Sequence, residues 1–293
     1  MNGLDKIMEK VPDYIKHPLM ALPDNISNTL EEIRIRINQP VLIISGGDEI
    51  SVKSSKQITA EVLEVILNNL MNYSIYAYEE ELAKGYITIE GGHRVGICGR
   101  VVKTENNITL IKDISSLNIR RSREIKGIAE KLKNDITDNL GLQNAIIVSS
   151  PKCGKTTLLR DIVRMLSYDG YRVGVIDERS EIAGMYRGQP AYDIGPRTDV
   201  LDGCPKAEGM LMMIRSMSPD VIVTDEIGKS EDIEAIESAL CSGVKVITTI
   251  HGNTYEDLIR SRLGPLIESK VFSRIIFLTN TPATGTISEV RYV

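Results

Sequence analysis

The chain has 293 residues, enough for two domains, and its 42% hydrophobic and 26% charged residues are an ordinary composition for a globular protein. The net charge of -5 at pH 7 repels a polyphosphate backbone, so the composition argues against a nucleic acid as partner. The four cysteines form no Cys-x-x-Cys pair and are accompanied by only three histidines, which excludes a zinc site of ordinary spacing and fits a reducing cytosol.

The start of the chain lacks the apolar stretch of a signal peptide, and no run approaches the roughly 18 apolar residues of a membrane helix, so we expect a cytoplasmic protein without a transmembrane segment.

Residues 1–124 predict a small α+β domain. Isoleucines alternate with charged residues in EEIRIRINQPVLIISGG, which predicts a half-buried strand pair that turns at Gly46 and Gly47. The segment ITAEVLEVILNNLMNYS predicts an amphipathic helix, and GYITIEGGHRVGICGRVVK predicts a hairpin that turns at residues 90–92.

Residues 125–293 predict an α/β domain with a parallel-type sheet and crossover helices, because short apolar strands alternate with helical segments. The expected strands are AIIVS, RVGVID, DVIVTDE, VKVITTI, RIIFLT and a final TISEVRYV. Met210, Met213 and Met217 share one face of a predicted helix, with Arg215 at its margin, and we expect this methionine stripe in the core.

The stretch SSPKCGKT lies between a predicted strand and a predicted helix, where backbone N–H groups and the helix dipole favour phosphate. It matches the P-loop pattern G-x-x-x-x-G-K-[ST] except at Ser149, which can take a strained glycine conformation only at a cost. Gly154 allows the backbone to approach a phosphate, Lys155 suits the β- and γ-phosphates, and Thr156 can offer its hydroxyl to Mg²⁺. An ordinary strand-to-helix turn is the alternative. The predicted nucleotide-binding residues are Ser149, Ser150, Pro151, Lys152, Cys153, Gly154, Lys155, Thr156 and Thr157.

Two carboxylates end the apolar strand DVIVTDE, beside the P-loop in the predicted sheet. Asp225 can hold Mg²⁺ through its water shell, which makes Asp225 and Thr156 the predicted metal-binding residues. Glu226 would then orient or deprotonate an attacking water, so the pattern favours hydrolysis over transfer to a second substrate. A strand that ends in a charged surface loop is the alternative.

Polar residues also end two other predicted strands. Thr248 and Thr249 belong to VKVITTI, and His251 follows it. His251 is expected to contact the γ-phosphate or the attacking water, and a packing or surface histidine is the alternative. The segment VIDERSE brings Asp177, Glu178 and Arg179 to the same carboxyl edge of the sheet. Glu178 is a candidate catalytic residue, with structural salt bridging as the alternative for all three.

Taken in order, SSPKCGKT, VIDERSE, VIVTDEIG and TTIHGNT resemble the secretion ATPases of type II and type IV systems and the pilus motors, a branch of the RecA-like P-loop ATPases. The full chain is more closely similar to the stage III sporulation protein AA family of endospore-forming bacteria, in segments such as GYITIEGGHRVGICGRV and VLDGCPKAEGMLMMIRSMSPDVIVTDEIG. This resemblance implies a RecA-like ATPase that uses ATP and Mg²⁺ and assembles as a homo-oligomer, a hexamer. It also implies a place in the mother-cell cytoplasm, peripherally associated with the membrane proteins of the stage III sporulation channel.

In the motors that the chain resembles, the N-terminal domain supplies arginines to nucleotide bound in the neighbouring subunit. By that resemblance Arg94 and Arg100, in the hairpin GGHRVGICGRV, are candidate arginine fingers, and solvated strand residues are the alternative. Arg120, Arg121 and Arg123 of IRRSREIK are rival candidates, or form a basic linker.

Two other functions remain open from the residues alone. A nucleic-acid motor shares the RecA-like core but needs a basic, aromatic path for the strand, and the chain has two phenylalanines and no tryptophan. A nucleotide-gated structural switch with negligible turnover would carry the same sequence boxes as a motor.

Overall fold

The computed structural model describes residues 3–104 and 107–293, with side chains over 6–103 and 110–293. The chain divides into two compact units: Met1–Arg123 with Tyr186–Ala191, and Glu124–Met185 with Tyr192–Val293. The short segment Tyr186–Ala191 groups with the first unit although both of its flanks belong to the second. Among the described residues, no helix has the length and apolar content needed to cross a bilayer.

The first unit combines one antiparallel sheet with short helices. Its elements are α1 (Gly3–Met8), α2 (Asp13–Met20), α3 (Asp24–Thr29), β1 (Leu30–Arg36), β2 (Val41–Ser45), β3 (Asp48–Val52), α4 (Ala60–Leu70), a 3-10 turn (Ile75–Tyr78), α5 (Glu79–Ala83), β4 (Tyr86–Ile89), β5 (His93–Thr104) and β6 (Asn107–Arg120). The sheet order is β3-β2-β1-β6-β5-β4, and every pair is antiparallel. The predicted helix is α4, and the predicted hairpin is β4–β5.

One face of this first sheet is buried, as the alternating sequence predicts. On β1, Ile33 and Ile35 lie in the core, while Glu32 and Arg34 on the other face form an ion pair of 2.7 Å. The segment predicted as a strand pair contains β1 and β2, and its Gly46-Gly47 turn leads from β2 into a third strand, β3. The apolar face of α4 joins the same core as β1.

The second unit contains the predicted parallel sheet. Its elements are a 3-10 turn (Ala129–Leu132), α6 (Lys133–Ile136), β7 (Thr137–Asp138), β8 (Gly141–Leu142), β9 (Ala145–Ser149), α7 (Lys155–Tyr168), β10 (Val173–Asp177), β11 (Thr198–Asp202), α8 (Lys206–Met217), β12 (Val221–Thr224), α9 (Ser230–Cys241), β13 (Lys245–His251), α10 (Tyr255–Arg260), α11 (Gly264–Glu268), β14 (Arg274–Thr279) and β15 (Thr286–Tyr292). The strand order is β11-β10-β12-β13-β9-β14-β15, parallel except for β15 at the edge.

Two apolar cores cover the two faces of this sheet. Ile147 of β9 packs in the core that contains α7, and its neighbour Ile146 packs in the core that contains α8 and α9. Because successive strand residues point to opposite faces, a strand covered on both sides is apolar throughout, and every residue of β9 is buried. The α/β prediction is therefore confirmed, with all six expected strands. The sequence did not predict β11, an edge strand with two aspartates.

The methionine stripe was only partly predicted correctly. Met210 and Met213 are buried, and Met213 packs against Gly174 so closely that a Cβ on that glycine would lie 2.6 Å from Cγ of the methionine. Met217 is 45% exposed, so its expected place in the core was wrong. It is the last residue of α8, and the chain turns away at Ser218 with a φ of 49°, so no further helical turn covers it.

Candidate functional site

Four neighbouring strands bring their polar ends to one edge of the parallel sheet. The strands are β9, β13, β12 and β10, and their carboxyl ends carry the P-loop, His251, the Asp225-Glu226 pair and Asp177-Glu178. The strand of Asp225 is not the direct neighbour of the P-loop strand, because β13 lies between them. His251 therefore stands between the P-loop and the acidic pair, opposite Ser149 in the register of the two strands.

The P-loop conformation does not require glycine at its first position. Ser149 is the last residue of β9 and is buried, and the residues of the loop with positive φ are Lys152 (63°) and Gly154 (85°). The strain expected at Ser149 is therefore absent. Gly154 precedes α7 with a φ of 85°, which favours glycine, and the space is tight because a Cβ there would lie 3.2 Å from Cα of Gly285.

Lys155 is turned into its own loop. Only 7% of the residue is exposed, and its Nζ donates to the carbonyl oxygens of Ser149 (2.9 Å) and Ser150 (3.0 Å). Nζ also lies 3.1 Å from Nδ1 of His251. Burial lowers the pKa of Lys155, and the nearby charge of Glu226 opposes that effect. The ammonium thus contacts loop carbonyls and an imidazole.

The remaining P-loop residues differ in exposure. Pro151 and Lys152 are exposed, Cys153 is buried, and Thr156 and Thr157 are half-buried in the first turn of α7. Backbone N–H groups of a first helical turn have no acceptor within the helix, so this turn can bind an anion. The hydroxyl of Ser150 donates to Oδ1 of Asn253, which ties the loop to the segment after β13.

Asp225 is a buried acid directly after β12. It is 4% exposed, and its carboxylate makes no hydrogen bond or ion pair with any residue that the structure describes. Burial raises the pKa of Asp225 to about 7, against the lowering effect of the Lys206 charge. An uncompensated buried acid is costly, and a hard divalent cation would relieve the cost through oxygen coordination. Mg²⁺ is such a cation, since it keeps several waters and needs few protein ligands, and Thr156 is the other residue predicted to bind it.

Glu226 adopts a strained conformation that its neighbours maintain. Its φ is 42°, in the left-handed region that a residue with a side chain rarely adopts. The hydroxyl of Thr249 accepts its backbone N–H at 2.9 Å, and Nε2 of His251 lies 2.8 Å from its Oε1. Its Oε2 lies 3.6 Å from Nη1 of Arg179. Two residues of β13 therefore hold both the backbone and the carboxylate of Glu226.

His251 connects the P-loop lysine to this carboxylate. An ammonium can only donate, so Nδ1 of His251 accepts from Lys155 and Nε2 carries the hydrogen that is donated to Glu226. This arrangement corresponds to the neutral imidazole. The structure thus joins three predicted site residues by direct polar contacts. Thr248, on the same strand, has a buried hydroxyl without a hydrogen-bond partner among the described residues.

Asp177 and Glu178 lie at the same edge but have partners of their own. Asp177 accepts the N–H groups of residues 181, 182 and 183 at 2.8–3.0 Å, and burial raises its pKa to about 6 against the effect of these bonds. Glu178 pairs with Lys206. Burial by itself would raise the pKa of Glu178, but the hydrogen bond and charge of Lys206 outweigh it, and the pKa is lowered.

Lys206 was missed by sequence reasoning. It is 8% exposed at the first residue of α8, where the helix dipole disfavours a cation. The sequence did contain a signal for it, because Lys206 directly follows a proline at the start of a predicted apolar helix. Its ion pair with Glu178 explains its burial, because a buried lysine requires a partner.

The candidate arginine fingers belong to the first unit. Arg94 is half-buried over the ring of Tyr86, 3.7 Å from its centroid. Arg100 is exposed, and its Nε lies 2.7 Å from Oδ2 of Asp113. Of the rivals, Arg120 lies 3.5 Å from Glu32.

The two remaining rival arginines are bound to the backbone of the first unit. Arg121 donates to the carbonyl of Ser27 and Arg123 to that of Leu30, each at 2.8 Å. These contacts tie residues 121–123 to the segment that leads into β1.

Comparison with solved structures places the fold among secretion and pilus ATPases. The pilus retraction motor PilT with bound ADP is similar to this chain with a TM-score of 0.62 and 16% identity, over 88% of this chain and 77% of that one. The ATPase DotB of Legionella pneumophila is similar with a TM-score of 0.54 and 16% identity, over 86% and 72%. The fold is therefore that of the RecA-like secretion ATPases.

Sequence comparison is more specific. The chain is 45% identical over 293 residues to the stage III sporulation protein AA of Bacillus subtilis (strain 168), which covers 98% of this chain and 94% of the relative. The family model described as sporulation stage III, protein AA, matches residues 10–292. The chain therefore belongs to the family of sporulation stage III protein AA.

Proposed function

We propose that this chain is a Mg²⁺-dependent ATPase that works as an oligomer in the third stage of endospore formation. The observation that supports this most strongly is the continuous contact from Lys155 of the P-loop through His251 to Glu226. Such a connection suits a site in which phosphate binding at one end must be sensed by a general base at the other.

In the proposed cycle, the first turn of α7 and Lys155 bind the β- and γ-phosphates of ATP. Lys155 must then exchange the carbonyls of Ser149 and Ser150 for phosphate oxygens. That exchange replaces bonds from the ammonium to neutral carbonyl oxygens by bonds to anionic oxygens, which adds an attraction between opposite charges. The partly buried ammonium, whose pKa is lowered by burial, gains most from an anionic partner.

Hydrolysis would follow at Glu226. A water bound to this carboxylate attacks the γ-phosphorus, and a new P–O bond forms as the bond from phosphorus to the β–γ bridging oxygen breaks. ADP leaves with the electron pair, and Glu226 accepts the proton of the water, giving ADP and inorganic phosphate. When bound by Thr156 and Asp225, Mg²⁺ would supply positive charge to the β- and γ-phosphate oxygens. Glu178 enters the proposal as the anion that holds Lys206 at this edge.

His251 would couple the two ends of the site. In the structure its Nδ1 accepts from Lys155 while its Nε2 donates to Glu226. When ATP draws Lys155 away, Nδ1 becomes free to accept from the attacking water or another donor, and the ring can reorient. The position of the carboxylate then depends on whether phosphate is bound.

The proposed assembly is a homo-oligomer, a hexamer, docked on the membrane proteins of the stage III sporulation channel from the mother-cell cytoplasm. Family membership and the likeness to a pilus retraction motor support this part. Arg94 and Arg100 would reach nucleotide in the neighbouring subunit. Arg100 is exposed, and its surface ion pair with Asp113 is of a kind that contributes little stability.

The test of the ATPase proposal is the variant Glu226→Gln, assayed for phosphate release and for binding of a fluorescent ATP analogue. We expect binding within a few-fold of the unsubstituted chain and a fall in turnover of at least about 100-fold, the usual contribution of a general base. Lys155→Ala should instead weaken binding by at least about tenfold, because it removes a charge-assisted contact.

The matched control is Lys131→Ala, which changes an exposed lysine of the second unit and should alter neither turnover nor binding. Normal hydrolysis by Glu226→Gln would remove Glu226 from the mechanism. Absence of ATP binding by the unsubstituted chain would end the ATPase proposal as a whole.

A further inference from the structure

The loop that follows β10 has a backbone fixed at many points. The carboxylate of Asp177 accepts three consecutive N–H groups, those of residues 181–183. Arg160 donates to the carbonyl oxygens of Glu181 and Ile182, each at 2.6 Å. Such a loop cannot move far without breaking several buried hydrogen bonds, so it can hold a side chain in a defined place.

The two neighbours of Arg179 on this loop have tightly held side chains. Glu178 pairs with the buried Lys206, and the hydroxyl of Ser180 donates to Oδ1 of Asp202 at 2.6 Å. Ser180 also has a φ of 54°, a conformation that reverses the chain directly after Arg179. The backbone of Arg179 is therefore fixed from both sides.

The side chain of Arg179 is by contrast barely engaged. It is 54% exposed, and its one ion pair with a described residue joins Nη1 to Oε2 of Glu226 at 3.6 Å. That distance exceeds a hydrogen bond, and a well-formed arginine–carboxylate pair is bidentate at about 2.7–2.9 Å. The guanidinium thus keeps its five donors available while it lies beside the proposed general base.

The free oxygen of Glu226 indicates where the reaction would occur. Oε1 is engaged by Nε2 of His251, so a water activated by this carboxylate would bind Oε2, the oxygen nearest Arg179. A base lies about 3 Å from its water, and the water lies about 3–3.5 Å from the atom it attacks. The γ-phosphoryl oxygens would consequently fall within reach of a guanidinium that starts 3.6 Å from Oε2.

We propose that Arg179 is a catalytic arginine supplied by the same subunit, and that its guanidinium donates to the γ-phosphoryl oxygens during hydrolysis. This inference rests on the proposed ATPase function and adds to it a positive charge that needs no neighbouring chain. An arginine at this point neutralises charge that spreads over the transferring group, an effect of about 10³–10⁵ in rate where it has been measured.

The first experiment measures turnover and binding of Arg179→Ala. We expect kcat to fall by at least about 100-fold with KM changed by less than about fivefold, since the contact forms mainly in the transition state. Arg179→Lys should recover only part of the rate, because an ammonium cannot span two oxygens. The control is Arg215→Ala, which changes an exposed arginine of α8 and should alter neither kcat nor KM.

A binding measurement separates this inference from the ATPase proposal. ADP with aluminium fluoride imitates the transferring phosphoryl group, and the unsubstituted chain should bind it more tightly than ADP alone. Arg179→Ala should lose that difference while its affinity for ADP stays unchanged. Loss of ADP affinity, or an unchanged preference for the fluoride complex, would overturn the role of Arg179 whether or not the chain turns over ATP.

Mixing two inactive variants tests whether Arg179 acts within its own subunit. A site served by its own Arg179 lacks either Arg179 or Glu226 in every mixture of Arg179→Ala with Glu226→Gln, so activity should stay at the level of the variants. If Arg179 reached a neighbouring site, mixed rings would contain intact sites and activity would return, which would contradict the proposal. A mixture of Arg94→Ala with Glu226→Gln provides the comparison, because Arg94 is proposed to act in the neighbouring subunit. Subunit exchange in both mixtures is followed with fluorescent labels.

Discussion

Two neighbouring ends of the same parallel sheet carry similar residues in opposite situations. At the end of β10, Asp177 is satisfied by three backbone N–H groups and Glu178 by Lys206. At the end of β12, Asp225 is equally buried but makes no contact of this kind among the described residues. The first arrangement builds structure, whereas the second leaves acceptor atoms unused in a place where a ligand could use them.

The backbone repeats this contrast. The loop after β10 is held by its own hydrogen bonds, while Glu226 is kept in a strained conformation by Thr249 from a different strand. Strain that neighbouring elements maintain is typical of functional sites. The comparison indicates that Asp177 and Glu178 support the site, whereas the groups proposed for the chemistry are Glu226, His251 and Arg179.

The largest expected difference between the two ends is in stability. Asp177→Ala would leave three N–H groups, two of them buried, without an acceptor and should lower the free energy of unfolding by on the order of 3 kcal/mol, or roughly 6–12 °C in a unit of this size. Asp225→Ala removes no hydrogen bond and should not lower it. Thermal unfolding of both variants at pH 7.5 without nucleotide checks this, and equal losses would contradict the division between support and chemistry.

The next expected effect is the pH dependence of stability. The pKa of Asp225 is about 7 in the folded chain against 3.8 as its ordinary value, so between these pH values the folded acid retains a proton that the unfolded one has lost. Asp225 therefore does not reduce the free energy of unfolding at low pH, and it reduces that free energy increasingly as the pH rises from 3.8 towards 7.

The variant Asp225→Asn cannot ionise and avoids this loss. We expect its advantage over the unsubstituted chain to grow by on the order of 2 kcal/mol between pH 5 and pH 8, measured by urea unfolding in the presence of a metal chelator. An advantage that does not change with pH would mean that Asp225 is solvated or paired in the folded chain.

The smallest expected effects distinguish two adjacent threonines of β13. Thr249→Val removes the acceptor of the Glu226 N–H and should cost about 1–2 kcal/mol of stability. Thr248→Val removes a buried hydroxyl that has no partner among the described residues and should be neutral or stabilising by up to about 1 kcal/mol.

Turnover should separate the same pair of variants. Only Thr249→Val should slow phosphate release, because only it loosens Glu226. Equal behaviour of the two variants would show that Thr249 does not maintain the conformation of Glu226.

Local patterns predicted much of this fold and of the candidate site. The strands of the second unit could be predicted because they are covered on both faces and are therefore continuously apolar, as in β9. The sequence pattern did not predict β11 because two of its five residues are aspartates. β11 is an edge strand that pairs with β10, so it needs no continuous run of apolar residues. The burial of Met217 was predicted wrongly because helical periodicity does not show where a helix extends beyond the sheet on which it packs.

The sequence by itself determined which residues are the candidates for the chemistry: the glycine and lysine of the P-loop, the Asp225-Glu226 pair and His251. These are local signals, since a phosphate loop, a strand end and a helix start each need particular residues at fixed spacing. Tertiary structure alone decided how they meet. The insertion of β13 between β9 and β12 places His251 against both Lys155 and Glu226. Strand order depends on how crossover helices pack on the two faces of the sheet, and that packing leaves Asp177 satisfied and Asp225 without a partner among the described residues.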